Sequence, residues 1–276
     1  MYLTFVDGEW HEGNVPLMGA MDHSVWLGSS VFDGARAVAG RLPDLRLHLE
    51  RSIRSAQALG LECPYDAEQM EALCREGVKR FPADAELYIR PLIFGRDGLL
   101  VPTRSGFALT LFDAPVPHFA GFSACLSSLQ RPSPNMAPTI AKASCLYPNT
   151  TRALVEAKQR GFDNAVVCDP IGNVAEFATA NLFFVDKDGH IVTPVANGCF
   201  LSGITRARVI KLLSEAGHVV HERSVKPSEL LEAREIFNTG NFAKVMPCTR
   251  FEDHEMPVGP IVQTARRLYW EFMANT

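Results

Sequence analysis

The chain lacks several features that would have set its class early. None of its 276 residues fall in a run of about 18 apolar positions, so no membrane-spanning helix is expected. Met1 to Asp7 carries no basic segment followed by an apolar stretch, so no secretory signal is expected. The seven cysteines, at 63, 74, 125, 145, 168, 199 and 248, form no C-x-x-C pair. That spacing speaks against both a disulfide framework and a metal ribbon, so no metal site is expected. Free thiols without a secretory signal suit the reducing cytoplasm. Net charge is −4 from 27 basic and 31 acidic residues, without a basic block or an acidic tail. Neither a nucleic-acid partner nor a disordered tail is expected. No internal repeat is present, and no G-x-G-x-x-G follows a strand-like segment, so a dinucleotide site has no support.

What remains is ordinary globular composition, with 47% hydrophobic and 21% charged residues. The length suits one large domain or two medium ones. A strand-like stretch, Gly106 to Phe112, runs into Asp113-Ala-Pro-Val-Pro-His-Phe-Ala-Gly121, whose prolines and glycine read as a linker. The division expected is 1–113, a linker at 114–121, and 122–276. In the first part, Asp66 and Gln69 make a capping box ahead of Met70, Leu73, Cys74, Val78 and Phe81 at helical spacing. A shorter helix is expected over 48–59. Glu86 to Phe94 alternates as a strand, with Leu87 and Ile89 on one face and Tyr88 and Arg90 on the other. The second part predicts helices over 150–160, 202–216 and 228–233, and strands near 162–168, 180–185, 190–193, 219–225 and 235–238. Short hairpins mixed with helices point to an α+β or mixed α/β fold with a barrel-like sheet, since a doubly wound sheet needs regular crossovers.

Lysine is scarce: seven, against twenty arginines. Most lysines sit among polar neighbours, whereas Lys142 is the only charge between Pro132 and Thr151. A lysine in weakly polar surroundings can act as an amine nucleophile. A surface lysine whose stem covers apolar residues fits the same pattern. Glu176 is the only charge between Asp169 and Asp186. A carboxylate there must be paired, with a structural arginine or with a cofactor ring nitrogen, or else raised in pKa. Ser202-Gly-Ile-Thr-Arg206 opens a strong helix, so Gly203, Ile204 and Thr205 form either an anion site or a plain cap made by Ser202 or Thr205. Gly240-Asn241 offers a second backbone anion site or a simple turn, and Arg51 lies on the 48–59 helix. Singly, each has a bland explanation. Together, a desolvated lysine, an isolated carboxylate, a helix terminus and a spare arginine are parts that hold pyridoxal 5'-phosphate (PLP).

The order of blocks resembles the class IV, fold-type IV PLP enzymes, and among them the branched-chain aminotransferases. The blocks are Gly28-Ser-Ser-Val-Phe-Asp-Gly-Ala-Arg36, His48-x-x-Arg51 with Ser55-Ala56, and Tyr88-Ile-Arg-Pro-Leu92. Lys142 with Tyr147, Glu176 with Asn181-Leu-Phe183, Leu201-Ser-Gly-Ile-Thr-Arg206 and Gly240-Asn241 complete them. The resemblance implies a two-domain fold like that of D-amino-acid aminotransferase, with a smaller N-terminal α+β domain and a larger barrel-like C-terminal domain. It implies that Lys142 is the Schiff-base lysine and proton shuttle. Glu176 would face the pyridine nitrogen and Tyr147 the ring hydroxyl. Arg51, Ile204, Thr205 and Asn241 would hold the phosphate. Phe32, Arg36, Tyr88, Arg90, Phe242 and Ala243 would line the substrate pocket. The implied reaction moves an amino group between a branched-chain or other hydrophobic L-amino acid and 2-oxoglutarate by a ping-pong scheme, in a cytoplasmic homodimer. Leu27 stands where branched-chain enzymes usually have a tyrosine, and Gly240-Asn-Phe-Ala243 replaces Gly-Thr-Ala-Ala. Both changes fall near the substrate. They leave room for an aminodeoxychorismate lyase, a D-amino-acid transaminase or an (R)-amine transaminase. A non-catalytic small-molecule binding protein is the reading from another class.

Overall fold

The computed structural model describes residues 1–276. Its contacts divide the chain into two compact units. The first contains residues 1–116, 140–146 and Thr276, and the second contains 117–139 and 147–275.

The first unit is built on an antiparallel sheet. Strands β1 (Tyr2–Val6) and β2 (Glu9–Glu12) form a hairpin, and helix α1 (His23–Leu27) precedes β3 (Ser30–Phe32) and β4 (Ala35–Val38). Helices α2 (Leu45–Ala58) and α3 (Ala67–Val78) then lead to the long strands β5 (Glu86–Asp97) and β6 (Arg104–Asp113). The order is β2-β1-β6-β5-β3, with β4 also on β5. The capping box forms as expected. Asp66 Oδ1 accepts from Gln69 N at 2.8 Å, and Gln69 Oε1 accepts from Asp66 N at 2.9 Å. Strand β5 alternates as its sequence requires: Leu87 and Ile89 are buried, Tyr88 is half-buried and Arg90 is exposed. Its apolar face packs on Leu109 and Leu111 of β6 and on Leu49, Ala56, Met70 and Cys74 of the two helices. Each such large side chain contributes about 1.5–3 kcal/mol when removed from water.

Residues 140–146 lie in the span expected for the second domain, yet they join the first unit. Ala143 bridges Val31, Phe32 N donates to Lys142 O at 3.1 Å, and Lys142 N donates to Ser55 Oγ at 3.0 Å. Ala141 and Ala143 enter the same core as β3 and α2. Pairing of an otherwise unsatisfied backbone explains the placement, and no local pattern announces it.

The second unit holds a mixed sheet. It runs through β7 (Phe122–Gln130), α4 (Tyr147–Gln159), β8 (Asn164–Cys168), β9 (Val174–Phe177), β10 (Asn181–Val185) and β11 (Ile191–Pro194). It continues with α5 (Ile204–Glu215), β12 (Val220–Arg223), α6 (Pro227–Leu231), β13 (Glu235–Gly240), β14 (Lys244–Phe251), β15 (His254–Glu255) and α7 (Pro260–Ala274). The strand order is β12-β11-β10-β13-β14-β7-β8-β9, with β15 on β14. The β11/β12, β14/β7 and β7/β8 pairs are parallel and the others antiparallel. The last strand, β9, also lies against β10 and β11, so the sheet curls toward a half-barrel. Helix α7 was not anticipated from the sequence, although Val262, Ala265, Tyr269 and Met273 recur at helical spacing on its buried face. All seven cysteines are free, and burial pushes the Cys74 and Cys248 thiols up to about 12. No helix is long and apolar enough to cross a membrane.

Candidate active site

In the first unit, the Lys142 backbone is pinned by the two hydrogen bonds that dock its segment. Its Nζ lies 5.1 Å from the centroid of the Phe32 ring. An ammonium over a ring face is held by the ring quadrupole. Close by in the chain fold, Asp33 is fully buried and collects several donors. Arg51 Nε and Nη2 grip its two oxygens at 2.7 Å each, Gly34 N donates at 2.7 Å, and His48 Nδ1 lies at 2.8 Å. Burial alone would raise the Asp33 carboxyl. The Arg51 guanidinium, its hydrogen bonds and those of His48 outweigh it and hold the group well below the usual carboxylate range.

Register places Arg36 of β4 opposite Tyr88 of β5. Arg36 is fully buried and donates to the Ala114 carbonyl, and its guanidinium lies 5.9 Å from the Tyr88 ring. Burial pulls the Arg36 guanidinium below its ordinary range. Tyr88 stacks on Phe112 at 5.4 Å, and the Arg90 guanidinium sits 6.0 Å from that same Phe112 ring. A Cβ at Gly34 would collide with the Tyr88 hydroxyl, so residue 34 must be glycine for Tyr88 to lie there. Arg36, Tyr88 and Arg90 thus form one aromatic and cationic patch, suited to a carboxylate beside apolar groups.

In the second unit, Glu176 is buried on β9. Its Oε1 pairs with Arg131 Nη2 at 2.9 Å, and its Oε2 accepts from Asn181 Nδ2 at 3.0 Å. Asn181 Nδ2 also donates to Leu201 O at 3.1 Å, just before α5. At that terminus the cap residue is Gly203, with no side-chain cap, rather than Ser202 or Thr205. Only glycine fits at this cap position, because a Cβ at residue 203 would collide with Asn181 Oδ1. Ile204 and the buried Thr205 therefore open α5 without a side-chain cap on their N–H groups, which is the arrangement that receives an anion. Asn181 couples the buried carboxylate to this helix terminus. Tyr147 is the first residue of α4 and is half-buried. Asn241, Phe242 and Ala243 form the turn between β13 and β14, with Phe242 58% exposed at its tip.

Four residues were given no role by the sequence reading. Asp33 and Asn181 lay inside blocks already singled out. Arg131 is the only Lys, Arg, Asp or Glu between Asp113 and Lys142, and Lys244 is the only one between Glu235 and Arg250. The isolation that drew attention to Lys142 and Glu176 would have found both. Lys244 also corrects the view that Lys142 alone is set apart: Lys244 is 1% exposed, whereas Lys142 is half-buried.

The class IV amino-transferase family model matches residues 30–251. A probable branched-chain-amino-acid aminotransferase of Rickettsia bellii is 31% identical over 250 residues, which cover 89% of this chain and 86% of that protein. Among solved structures, an aminotransferase from Brucella abortus bound to the cofactor PLP is similar with a TM-score of 0.97 and 47% identity, over 99% of both chains. The branched-chain aminotransferase of Thermoproteus uzoniensis, solved with norvaline, gives 0.92 and 29%, over 99% of this chain and 95% of that one. The mixed sheet and its helices match the class IV fold. The chain belongs to the class IV aminotransferases.

Proposed function

We propose that the chain is a PLP-dependent aminotransferase of branched-chain type. It would exchange the amino group of a branched-chain or other hydrophobic L-amino acid with 2-oxoglutarate in a ping-pong scheme. The observation that carries the cofactor is the coupling through Asn181 of a buried carboxylate, Glu176, to the uncapped start of α5. A phosphorylated pyridine needs both: an anion to hold its ring N–H and N–H donors for its phosphate. The residues present fit that group. When bound, PLP supplies an electron-withdrawing ring that accepts the electron pair left at a substrate Cα.

The chain's own residues divide the remaining work. Lys142 Nζ would hold the cofactor covalently and, once released by a substrate amine, would take the Cα proton and deliver it to the cofactor carbon that had held the lysine. Its fixed backbone limits where Nζ can reach. Glu176, held by Arg131 and Asn181, would keep the ring nitrogen protonated. Tyr147 would donate to the ring hydroxyl. Arg51, the Ile204 and Thr205 N–H groups, the Thr205 hydroxyl and Asn241 would hold the phosphate. Arg36, Tyr88 and Arg90 would receive the substrate carboxylate, with Phe32, Phe242 and Ala243 against its side chain. The same reading includes a homodimer in the cytoplasm. The free thiols suit a reducing compartment, and exposed Trp26, Leu99, Leu100 and Val101 suit a covered surface.

The test is the visible absorbance of the protein incubated with PLP, followed on adding L-leucine, L-isoleucine and L-valine, then 2-oxoglutarate. A band that bleaches with these amino acids, returns with the keto acid and is absent in Lys142→Ala supports the reading. Turnover in Lys142→Ala should fall by about a thousandfold or more. Leu27 and Asn241-Phe242 favour a second reading within the same family. A band that ignores all three amino acids would send the substrate search to D-amino acids, amines and aminodeoxychorismate. No band at all would leave only a binding protein.

A further inference from the structure

Lys244 combines two unfavourable features at one residue. Gly240 pairs with Lys244 across a three-residue turn, and Lys244 has φ 61°, in the left-handed region. Hairpins of this length place glycine at that position, because a side chain there is strained. Here a lysine holds it, and its side chain is 1% exposed. A strained backbone and a desolvated ammonium are both costly, and features of this kind persist where the surroundings use them.

The ammonium has a defined use. Lys244 Nζ donates to Asn241 Oδ1 at 2.7 Å, across the turn, and lies 5.4 Å from the Tyr269 ring centroid on α7. An ammonium can only donate. It therefore selects the oxygen end of the Asn241 carboxamide and turns the Nδ2 end the other way. A hydroxyl rotates to suit an anion, whereas a carboxamide presents a donor or an acceptor according to its flip. Misoriented, Asn241 would offer an oxygen to a phosphate and repel it.

We propose that Lys244 is a positioning residue for the cofactor phosphate: it fixes Asn241 with its N–H₂ as the donor end and adds a buried positive charge to the β13–β14 turn. The pair Asn241–Lys244 thereby stands in for a single hydroxyl-bearing side chain. This rests on the reading that the chain binds PLP through this turn. In this role Lys244 acts through Asn241 and through its charge in a low-dielectric setting.

The test compares PLP with pyridoxal, which has the same ring and no phosphate. The apo protein is titrated with each, following ring absorbance, for the wild type, Lys244→Met, Lys244→Gly and Lys244→Arg. Lys244→Gly keeps the turn at ease with φ 61°, so it guards against a variant that merely fails to fold. The Kd for PLP should rise about tenfold to a hundredfold in Lys244→Met and Lys244→Gly. The Kd for pyridoxal should stay within about twofold, and Lys244→Arg should recover part of the PLP affinity. In an Asn241→Thr background, Lys244→Met should cost much less, since a hydroxyl orients itself. Equal losses for PLP and pyridoxal would make Lys244 a structural prop, and no loss for either would make it a bystander; both overturn the proposal. A wild type that takes up no PLP would overturn the cofactor reading and this inference together.

Discussion

Two buried carboxylates each meet an arginine, one in each unit, and the two arginines are used differently. Arg51 gives Asp33 a two-pronged grip, and His48 and Gly34 N close in on the same carboxylate. Arg131 divides its fork. It reaches Glu176, the Ala178 carbonyl at 2.9 Å and Thr150 Oγ1 at 3.2 Å, and its buried Nε has no hydrogen-bond partner. A two-pronged pair matches both planar groups and ties the residue after β3 to α2. A shared arginine aims a carboxylate while committing less of itself to it. The contrast teaches that burial and a nearby arginine are common to both carboxylates, and that what differs is how the guanidinium is spent.

The largest effect expected is on Asp33. Asp33→Asn removes the charge from the carboxylate that grips Arg51 with two prongs and should lower stability by about 3–5 kcal/mol in urea denaturation. Glu176→Gln should cost only about 1–2 kcal/mol by the same measurement, because Arg131 keeps its other acceptors. Equal losses at the two sites would erase the contrast. In activity, if Glu176 holds the ring nitrogen as proposed, Glu176→Gln should reduce turnover by about tenfold to a hundredfold through a weakened charge-assisted bond.

A pH series sharpens the same point. The Asp33 carboxyl is depressed in the folded protein, so the unfolded chain takes up its proton first as pH falls. Its contribution is intact above about pH 4 and is lost as pH drops through the folded value. The stability gap between wild type and Asp33→Asn should therefore narrow only below about pH 4. A gap that closed near neutral pH would overturn the assignment to Asp33. The smallest effect belongs to an exposed pair. Arg75 grips Glu71 Oε1 on the surface of α3, and Glu71→Gln should change stability by about 0.5 kcal/mol or less.

Local chemistry was legible in the sequence wherever one element settles it. The Asp66–Gln69 box, the alternation of Leu87 to Arg90 and the start of a helix near Ser202 need only their neighbours. The charge gap around Glu176 and Lys142 was legible for the same reason. Asp33 with Arg51 and Arg131 with Glu176 were not, because each pairing joins segments far apart in the chain. The Gly203 cap was missed because it depends on Asn181, a residue of another strand. Helix α7 carries a readable period in Val262, Ala265, Tyr269 and Met273, and no functional motif accompanies it.

The return of residues 140–146 to the first unit has a consequence for how the protein is made. Val31 leaves the ribosome early, and its bridging partner Ala143 follows about 110 residues later, a long loop to close. Until then the edge of β3 waits without that partner, and much of the second unit's chain has yet to be synthesised. The amine to which we assign the chemistry, that of Lys142, is therefore delivered late, to strands and a helix that precede it in the chain. With Lys142 in that role, a fragment that stops before residue 140 would hold the first unit's strands and helices and lack the reacting amine.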